Sequence, residues 1–362
     1  MNAQLYAIAL PALLLAWANG ANDVSKGIAT LIGSGLSKPA PAILWGTFWT
    51  LLGGVAAAFW GSALASTFAH GYLAADFRPD TAFVAGALCG AFGWVGIATR
   101  LGLPVSTTHG LLGGIVGAVW SKAGWEGLNG SAVASKALLP LLFSPLLAIV
   151  LCGVLLLAVR WLAEHIPAWR PGCCEPTEWQ ADPFRCATKG MDSGKPLRLS
   201  LLRWLHWLSS GAVSFARGLN DVPKIAALLI PALPALGLSA VETTFWAVGA
   251  VTTSMVAGSL WGGLRVARVL AFRVAELDAG RGLAANVGTS LLVLAASPLG
   301  LPVSTTHVST GSLMGVRFAD GSEPRQADAL RAILIAWLVT LPLAALIGAG
   351  ISWVLGGLFQ AI

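Results

Sequence analysis

Seven long segments without a charged residue dominate this 362-residue sequence and restrict what it can fold into. Because a helix needs about 20 apolar residues to cross the hydrocarbon core of a bilayer, they predict a polytopic membrane protein. Only 10% of the residues are charged, against about 25% in soluble domains. The alternating pattern of membrane strands is absent, so we predict an all-α protein with roughly 10–12 membrane segments. The uncharged segments are 1–22, 39–75, 81–99, 137–159, 243–264, 282–316 and 332–362.

Basic residues lie between the apolar segments, so the net charge of +6 indicates topology rather than nucleic-acid binding. No basic residue precedes Lys26, whereas residues 160–203 contain seven Lys or Arg and residues 265–281 contain four. Cytoplasmic loops of membrane proteins carry an excess of Lys and Arg. We therefore predict a multi-pass protein of the cell inner (cytoplasmic) membrane, with its N-terminus outside and both basic stretches inside.

Two motifs occur twice in the chain at one common spacing. LGLPVSTTH occupies 101–109 and again 299–307, while GANDVSKGIA at 20–29 corresponds to GLNDVPKIAA at 218–227. The members of both pairs are 198 positions apart. Chance does not account for two motifs that share one offset, so the chain is an internal duplication.

The duplication predicts three regions. They are an N-terminal transmembrane repeat at 1–162, a cytoplasmic polar loop at 163–198 and a C-terminal transmembrane repeat at 199–362. Short apolar pieces interrupted by Gly and Pro occur at matching places in both halves, as in transporters built from broken or re-entrant helices. We predict two inverted repeats; parallel repeats are the alternative.

The PVSTTH part of each nonamer predicts the start of a helix. Proline suits the first turn or the position before it, and Ser and Thr are preferred N-caps. A helix N-terminus offers free N–H donors and partial positive charge, which favour an anion. The alternative is that the hydroxyls bond to carbonyls of their own helix, but the duplication favours function. The candidate residues are Ser106, Thr107, Thr108, Ser304, Thr305 and Thr306.

The NDV motifs place charged residues inside apolar segments, where they are costly enough to indicate a function. Pro223 disfavours α geometry at the residue before it, so we predict an unwound break that contains Asn220 and Asp221. In each motif the Asp precedes a Lys by three positions, a spacing that lets the two side chains meet on a helix. The alternative is a pair of charges that neutralise each other for structural reasons. The pairs are Asp23 with Lys26 and Asp221 with Lys224.

At these motifs the sequence resembles the inorganic phosphate transporter (PiT) family of anion permeases, over nearly the whole chain except the central loop. The resemblance implies a homodimer that imports orthophosphate with a coupling cation, Na⁺ or H⁺, and has outside termini. It also implies that the two hydroxyl clusters hold the anion. The residues that would hold the coupling ion and shape the anion site are Asn22, Asp23, Asn220 and Asp221.

The sequence departs from the family pattern at one position in each half. The signature's second Asn is replaced by Lys26 and by Lys224. An ammonium group at the position of a sodium ligand predicts transport that is H⁺-coupled or otherwise independent of sodium. Two alternatives stay open: lysines that extend to the membrane interface, and a Na⁺-coupled symporter whose sodium site uses other groups.

Other functions are less well supported by the sequence. A sulfate or other oxyanion permease on the same fold is the main alternative, and a channel is another. An enzyme is not predicted, because the chain has no P-loop and no nucleophile–base set. We predict no cofactor and no metal site, since the spacing of Cys173, Cys174 and Cys186 near His165 is not a usual zinc pattern.

Overall fold

A computed structural model describes residues 2–165, 201–321 and 327–360, and most of them are helical. Within these ranges the β contacts amount to one isolated bridge between Leu73 and Leu128, which agrees with the predicted all-α class. The helices are α1 (Asn2–Gly33), α2 (Pro39–Trp60), α3 (Ser62–Ser66), α4 (Thr81–Leu101), α5 (Thr107–Ala123), α6 (Leu139–His165), α7 (Leu201–Leu229), α8 (Ala240–Gly262), α9 (Leu264–Val269), α10 (Ala279–Ala296), α11 (Thr305–Asp320) and α12 (Ala327–Gln360). Short helical turns lie at Thr67–Gly71, Gly124–Gly127, Gly130–Ala132, Val133–Leu138, Ile230–Leu236, Leu270–Val274 and Ser297–Leu299.

Six helical segments in the described ranges are long and apolar enough to cross a membrane. A seventh is obtained if α8 and the segment that follows it, which are bent by 56° at Gly263, form one broken span. Seven spans are fewer than the predicted 10–12 membrane segments. The described ranges contain ten helices of at least 16 residues, of which α5, α7 and α11 do not meet the criterion for a span. The protein is therefore a multi-pass helical membrane protein.

Among the described helices, α6 and α12 leave much of their apolar surface exposed. Only 28% of the most hydrophobic stretch of each is buried inside the protein, against 67% for α4. Large side chains such as Leu338 and Trp353 are more than 70% exposed. An apolar surface of this extent is expected where helices face lipid, because acyl chains are as apolar as leucine.

Both NDV motifs lie inside continuous helices, so the predicted unwound break is wrong. α1 runs through Asn22 and Asp23 without interruption, and α7 does the same through Asn220 and Asp221. Pro223 lies within α7, where every residue from Arg217 to Leu229 is buried. Proline is tolerated inside membrane helices when neighbouring helices pack around it, and that packing keeps α7 intact.

Each PVSTTH motif lies at the tip of a helical hairpin. α4 and α5 form the first hairpin, and the Lys122–Asp80 ion pair joins its two open ends. α10 and α11 form the second, which is closed at the equivalent place by the Arg281–Asp320 ion pair. Each ion pair brings the two ends of its hairpin together, opposite the tip; that the hairpins are re-entrant stays a prediction.

The first helices of the two halves, α1 and α7, run antiparallel beside each other. The Ser210 hydroxyl donates to the Gly27 carbonyl at 2.6 Å, and Arg217 donates to the Gly20 carbonyl at 3.5 Å. Residue numbers along the contact therefore decrease on α1, from 27 to 20, as they increase on α7, from 210 to 217. Inverted repeats require this opposite direction of equivalent helices.

Glycines allow the helices to approach closely, as is common in membrane proteins. A Cβ at Gly117 on α5 would overlap the backbone carbonyl of Ala345 on α12. We expect Gly117→Ala to lower the free energy of unfolding by about 1–3 kcal/mol, the usual cost of overpacking. Thermal melting of the purified protein in detergent measures this.

The matched control for this change is Gly249→Ala on α8, where a Cβ meets nothing within 4 Å. The control should be neutral or slightly stabilising, since Ala is the better helix former. Equal melting temperatures for both variants would contradict the close approach of α5 and α12.

Candidate functional site

The two hairpin tips meet α1 and α7 in the interior of the molecule. All twelve residues that the sequence predicted for the site are buried there, with at most 5% of each exposed. Their burial and mutual contacts bring together segments up to 282 positions apart. The set consists of Asn22, Asp23, Lys26, Ser106, Thr107, Thr108, Asn220, Asp221, Lys224, Ser304, Thr305 and Thr306.

Both hairpin tips end in the predicted helix starts. The Ser106 hydroxyl caps α5 by accepting from the backbone N–H of His109 at 3.1 Å. The Ser304 hydroxyl caps α11 in the same way, from the N–H of His307 at 3.2 Å. The serines are therefore N-caps, and the positive ends of both helix dipoles point into one buried region.

The third hydroxyl of each motif ties its tip to the opposite half. Thr306 donates to the carbonyl of Val105 at 2.7 Å, and Thr108 donates to the carbonyl of Val303 at 3.4 Å. The two contacts are equivalent under the 198-residue offset. The tips thus hold each other in register across the interface between the halves.

The asparagines of the NDV motifs bind the turns before the helix starts. The Asn22 amide donates to the carbonyl of Leu103 at 2.9 Å and to the Thr99 hydroxyl at 3.0 Å. In the other half, Asn220 donates to the Val303 carbonyl at 3.3 Å and accepts from Ser297 at 3.3 Å. These contacts explain why an Asn accompanies the Asp in both copies: it positions the hairpin tip.

Both lysines point into the site, which excludes the alternative that they extend to the membrane interface. Lys26 pairs with Asp23, its neighbour on α1, and Lys224 pairs with Asp221 at 3.2 Å on α7. Lys224 also donates to the Thr108 hydroxyl at 2.8 Å.

Lys26 makes a similar but longer contact, 3.5 Å to the hydroxyl of Thr305, which precedes the repeat equivalent of Thr108 by one position. Each ammonium group therefore reaches from its own NDV motif to the hydroxyl cluster of the other half. The Thr305 hydroxyl lies 3.4 Å from an oxygen of Asp23, so that the carboxylate, the ammonium group and the hydroxyl form one cluster.

Two residues that the sequence analysis did not select, Asn19 and Arg217, complete the site. The Asn19 amide nitrogen lies 2.8 Å from the Thr107 hydroxyl and 3.2 Å from oxygens of both Asp23 and Asp221. Asn19 therefore joins the carboxylates of the two halves. Asn19 and Arg217 are 198 positions apart and are therefore equivalent positions of the two repeats. This offset is the sequence signal by which the pair could be found.

Arg217 is a fully buried guanidinium held by neutral groups. It donates to the Thr50 hydroxyl at 2.8 Å and to the Ser259 hydroxyl at 3.2 Å. Within the described residues, no carboxylate oxygen lies within 4.0 Å of it, and its Nε has no hydrogen-bond partner. Its charge is thus not cancelled by direct pairing.

The buried charges of the site do not balance. Asp23 and Asp221 face three cations, namely the two lysines and Arg217, which leaves one positive charge when all five are ionised. An uncompensated buried charge is expensive, whereas a bound monovalent anion would neutralise it. Together with the hydroxyls and helix N-termini, the arrangement is suited to an oxyanion.

The histidines that follow the hydroxyls lie side by side at the interface of the halves. The ring centroids of His109 and His307 are 4.4 Å apart. No group of three or more His, Cys, Asp or Glu suited to a metal ion occurs among the residues that the structure describes. Cys173, Cys174 and Cys186 of the central loop lie outside those residues.

Comparison with known proteins relates most of the chain to one family. The model of the "Phosphate transporter family" matches residues 19–348. A "Probable low-affinity inorganic phosphate transporter" of Mycobacterium leprae is 32% identical over 98% of this chain and 79% of its own length. One of Rhizobium meliloti with the same description is 30% identical over 93% and 92% of the two chains.

The fold also matches a solved structure. The chain superposes on "The sodium-dependent phosphate transporter" with a TM-score of 0.81, covering 98% of this chain and 99% of that one at 26% identity. A "Putative phosphate permease" of Thermococcus kodakarensis is 29% identical over 92% of this chain and 93% of its own length. The similarity therefore extends over both halves.

Proposed function

The chain belongs to the phosphate transporter family, and we propose that it is a secondary transporter that imports inorganic phosphate across the cytoplasmic membrane. The relatives are described as transporters and permeases, and the protein is not an enzyme. The observation that carries the proposal is the buried excess of one positive charge beside two facing hydroxyl clusters. A single negative charge on H₂PO₄⁻ balances that excess.

The two halves would hold the anion from opposite sides. Thr107 of the first half and Thr305 of the second would supply hydroxyl donors, while the lysines supply charge. Thr108 and Thr306 donate to the carbonyls of Val303 and Val105, so their oxygens would accept from the protonated oxygens of H₂PO₄⁻. Charge-assisted hydrogen bonds of this kind are about twice as strong as neutral ones. The capping serines and the two asparagines would keep the donors in position.

Phosphate fits this site better than sulfate, the main alternative anion. H₂PO₄⁻ can donate hydrogen bonds and sulfate cannot. The Asp23 and Asp221 carboxylates accept such bonds, and both are buried in the site. A sulfate ion has no proton to donate, so the carboxylate oxygens and the sulfate oxygens would face each other without a hydrogen bond. Burying such unpaired polar groups is costly.

The coupling cation is the finer part of the proposal, and we infer that it is not sodium. Lys26 and Lys224 pair with the carboxylates that a sodium ion would need. A Na⁺ about 4 Å from an ammonium group would meet repulsion on the order of 4 kcal/mol at an effective dielectric constant of 20. The proton gradient would then drive the import, with the proton carried either separately or as part of H₂PO₄⁻.

The structural relative described as sodium-dependent supports the alternative, a Na⁺-coupled symporter. Uptake of radiolabelled phosphate into proteoliposomes distinguishes the two when choline replaces sodium at fixed pH and membrane potential. We expect equal rates in both media and little inhibition by excess sulfate. A steep, saturable dependence on sodium would refute the sodium-independent mechanism.

A double substitution tests the lysines themselves. Because Lys26→Asn with Lys224→Asn removes both ammonium groups, uptake should either become sodium-dependent or be lost. The same proteoliposome assay measures this. The control is the double variant Lys38→Asn and Lys136→Asn, which removes two positive charges at exposed positions. A double variant with the parent's uptake in both media would show that Lys26 and Lys224 lie outside the transport mechanism.

The organisation of the protein follows the same reasoning. We propose two inverted repeats at 1–162 and 199–362, joined by the cytoplasmic loop at 163–198. The antiparallel packing of α1 and α7 supports the inversion. A homodimer with its N-terminus outside is the assembly that we expect from the family resemblance and the charge distribution.

A further inference from the structure

A cavity lies beside the buried site, between α1, α4 and the bent pair α8–α9. Its volume is about 870 Å³. The bend of 56° between α8 and the following segment lies beside the cavity. The small residues Gly93, Gly96 and Gly262 are part of its lining. This cavity is large enough for part of an organic ligand.

The lining of this cavity is strongly basic. Four arginines line it, and none of its lining residues is acidic. Arg265 donates to the backbone carbonyl of Arg100 at 2.7 Å, which joins the end of α4 to the start of α9. The lining arginines are Arg100, Arg265, Arg268 and Arg273, and all are exposed.

The remaining wall of the cavity is apolar and faces outward. Trp261 is 86% exposed and Leu101 is 65% exposed, and both line the cavity together with Ile97 and Leu260. In a membrane protein such side chains face acyl chains rather than water. The lining of the cavity thus combines cationic side chains with exposed apolar ones.

We propose that this cavity binds an anionic phospholipid. Its phosphate would lie against Arg265 and Arg268, and an acyl chain would pack on Leu101 and Trp261. Basic pockets between membrane helices on the cytoplasmic side bind lipid head groups by this combination of charge and apolar contact. Free orthophosphate shares the phosphate chemistry, but it has no part that would cover the apolar wall.

The arginine segment belongs to the basic stretch that we assign to the cytoplasmic side. The leaflet there carries anionic lipids, which attract each nearby basic residue. The cavity adjoins the transport site at Thr99, which lines it and also accepts from Asn22, but lipid occupancy is measurable on purified protein without any transport. Failure of the transport proposal would therefore leave this one standing, and the reverse also holds.

Native mass spectrometry of the full chain in nonionic detergent tests the proposal. We expect bound dioleoylphosphatidylglycerol to be retained in preference to dioleoylphosphatidylcholine at equal concentrations. Arg268→Gln with Arg273→Gln should reduce the affinity for phosphatidylglycerol, by roughly fivefold for each arginine removed. Arg265→Gln provides an independent single variant with the same expected direction.

The matched control is Arg78→Gln with Arg331→Gln, which removes two exposed arginines that do not line the cavity. This control should bind phosphatidylglycerol as the parent does. Equal retention of both lipids, or equal losses in the cavity and control variants, would overturn the proposal. Displacement of phosphatidylglycerol by millimolar orthophosphate would also overturn it, because the site would then be one for the free anion.

Discussion

Replacing Arg217 with glutamine is expected to reduce phosphate uptake by at least about 30-fold. The guanidinium is buried and is held by Thr50 and Ser259, which are neutral, so its charge remains available to an anion. At an assumed separation of about 8 Å, a unit charge contributes about 2 kcal/mol at an effective dielectric constant of 20, which corresponds to that factor. Initial rates of radiolabelled uptake into proteoliposomes measure the effect.

The conservative variant separates charge from packing. Arg217→Lys keeps the positive charge but loses the planar fork that reaches two hydroxyls at once, so uptake should recover in part. Size-exclusion profiles of both variants control for folding. Normal uptake by Arg217→Gln would contradict the role of the uncompensated charge, and equally poor uptake by both variants would assign Arg217 to packing alone.

Removal of one hydroxyl from either half should also impair transport severely. Thr107→Val and Thr305→Val keep the shape of the side chain but remove its hydrogen-bond donor. A hydrogen bond to a charged group contributes about 1.5–3 kcal/mol, so each variant should lose roughly 10- to 100-fold in phosphate affinity. The concentration dependence of uptake measures this loss in each half separately.

The control for these changes is Thr253→Val on α8, whose hydroxyl bonds the carbonyl of Gly249 in its own helix. That variant should transport normally. If either Thr107→Val or Thr305→Val also transported with unchanged affinity, the anion would not be held from both sides. The comparison is sharp because Thr107 and Thr305 are equivalent positions of the two repeats.

Several features of the site followed from the sequence with little dependence on packing. The hydroxyl clusters begin α5 and α11 as predicted, because Pro and Ser specify a helix start through local backbone geometry. The i, i+3 spacing placed Asp23 beside Lys26 and Asp221 beside Lys224. These are short-range relations, which a sequence specifies directly.

Other features depended on contacts between distant segments. The predicted break at Pro223 did not form, because neighbouring helices bury the whole of this part of α7. Asn19 looked like an ordinary residue of a span, yet it joins Asp23 to Asp221, which is 202 positions away. The helix propensity of a residue contains no information about side chains that are distant in the sequence and adjacent in the fold.

The sequence by itself thus determined the membrane class, the duplication, the helix starts and the identity of most polar residues in the site. Each of these rests on composition, on a repeat offset or on interactions within one turn of a helix. Only the tertiary structure decided that Arg217 adds an unpaired charge and that both lysines cross to the opposite half. It also decided that the asparagines support the hairpin tips. The physical reason is that burial and long-range hydrogen bonds arise only when α1, α7 and the two hairpins pack together.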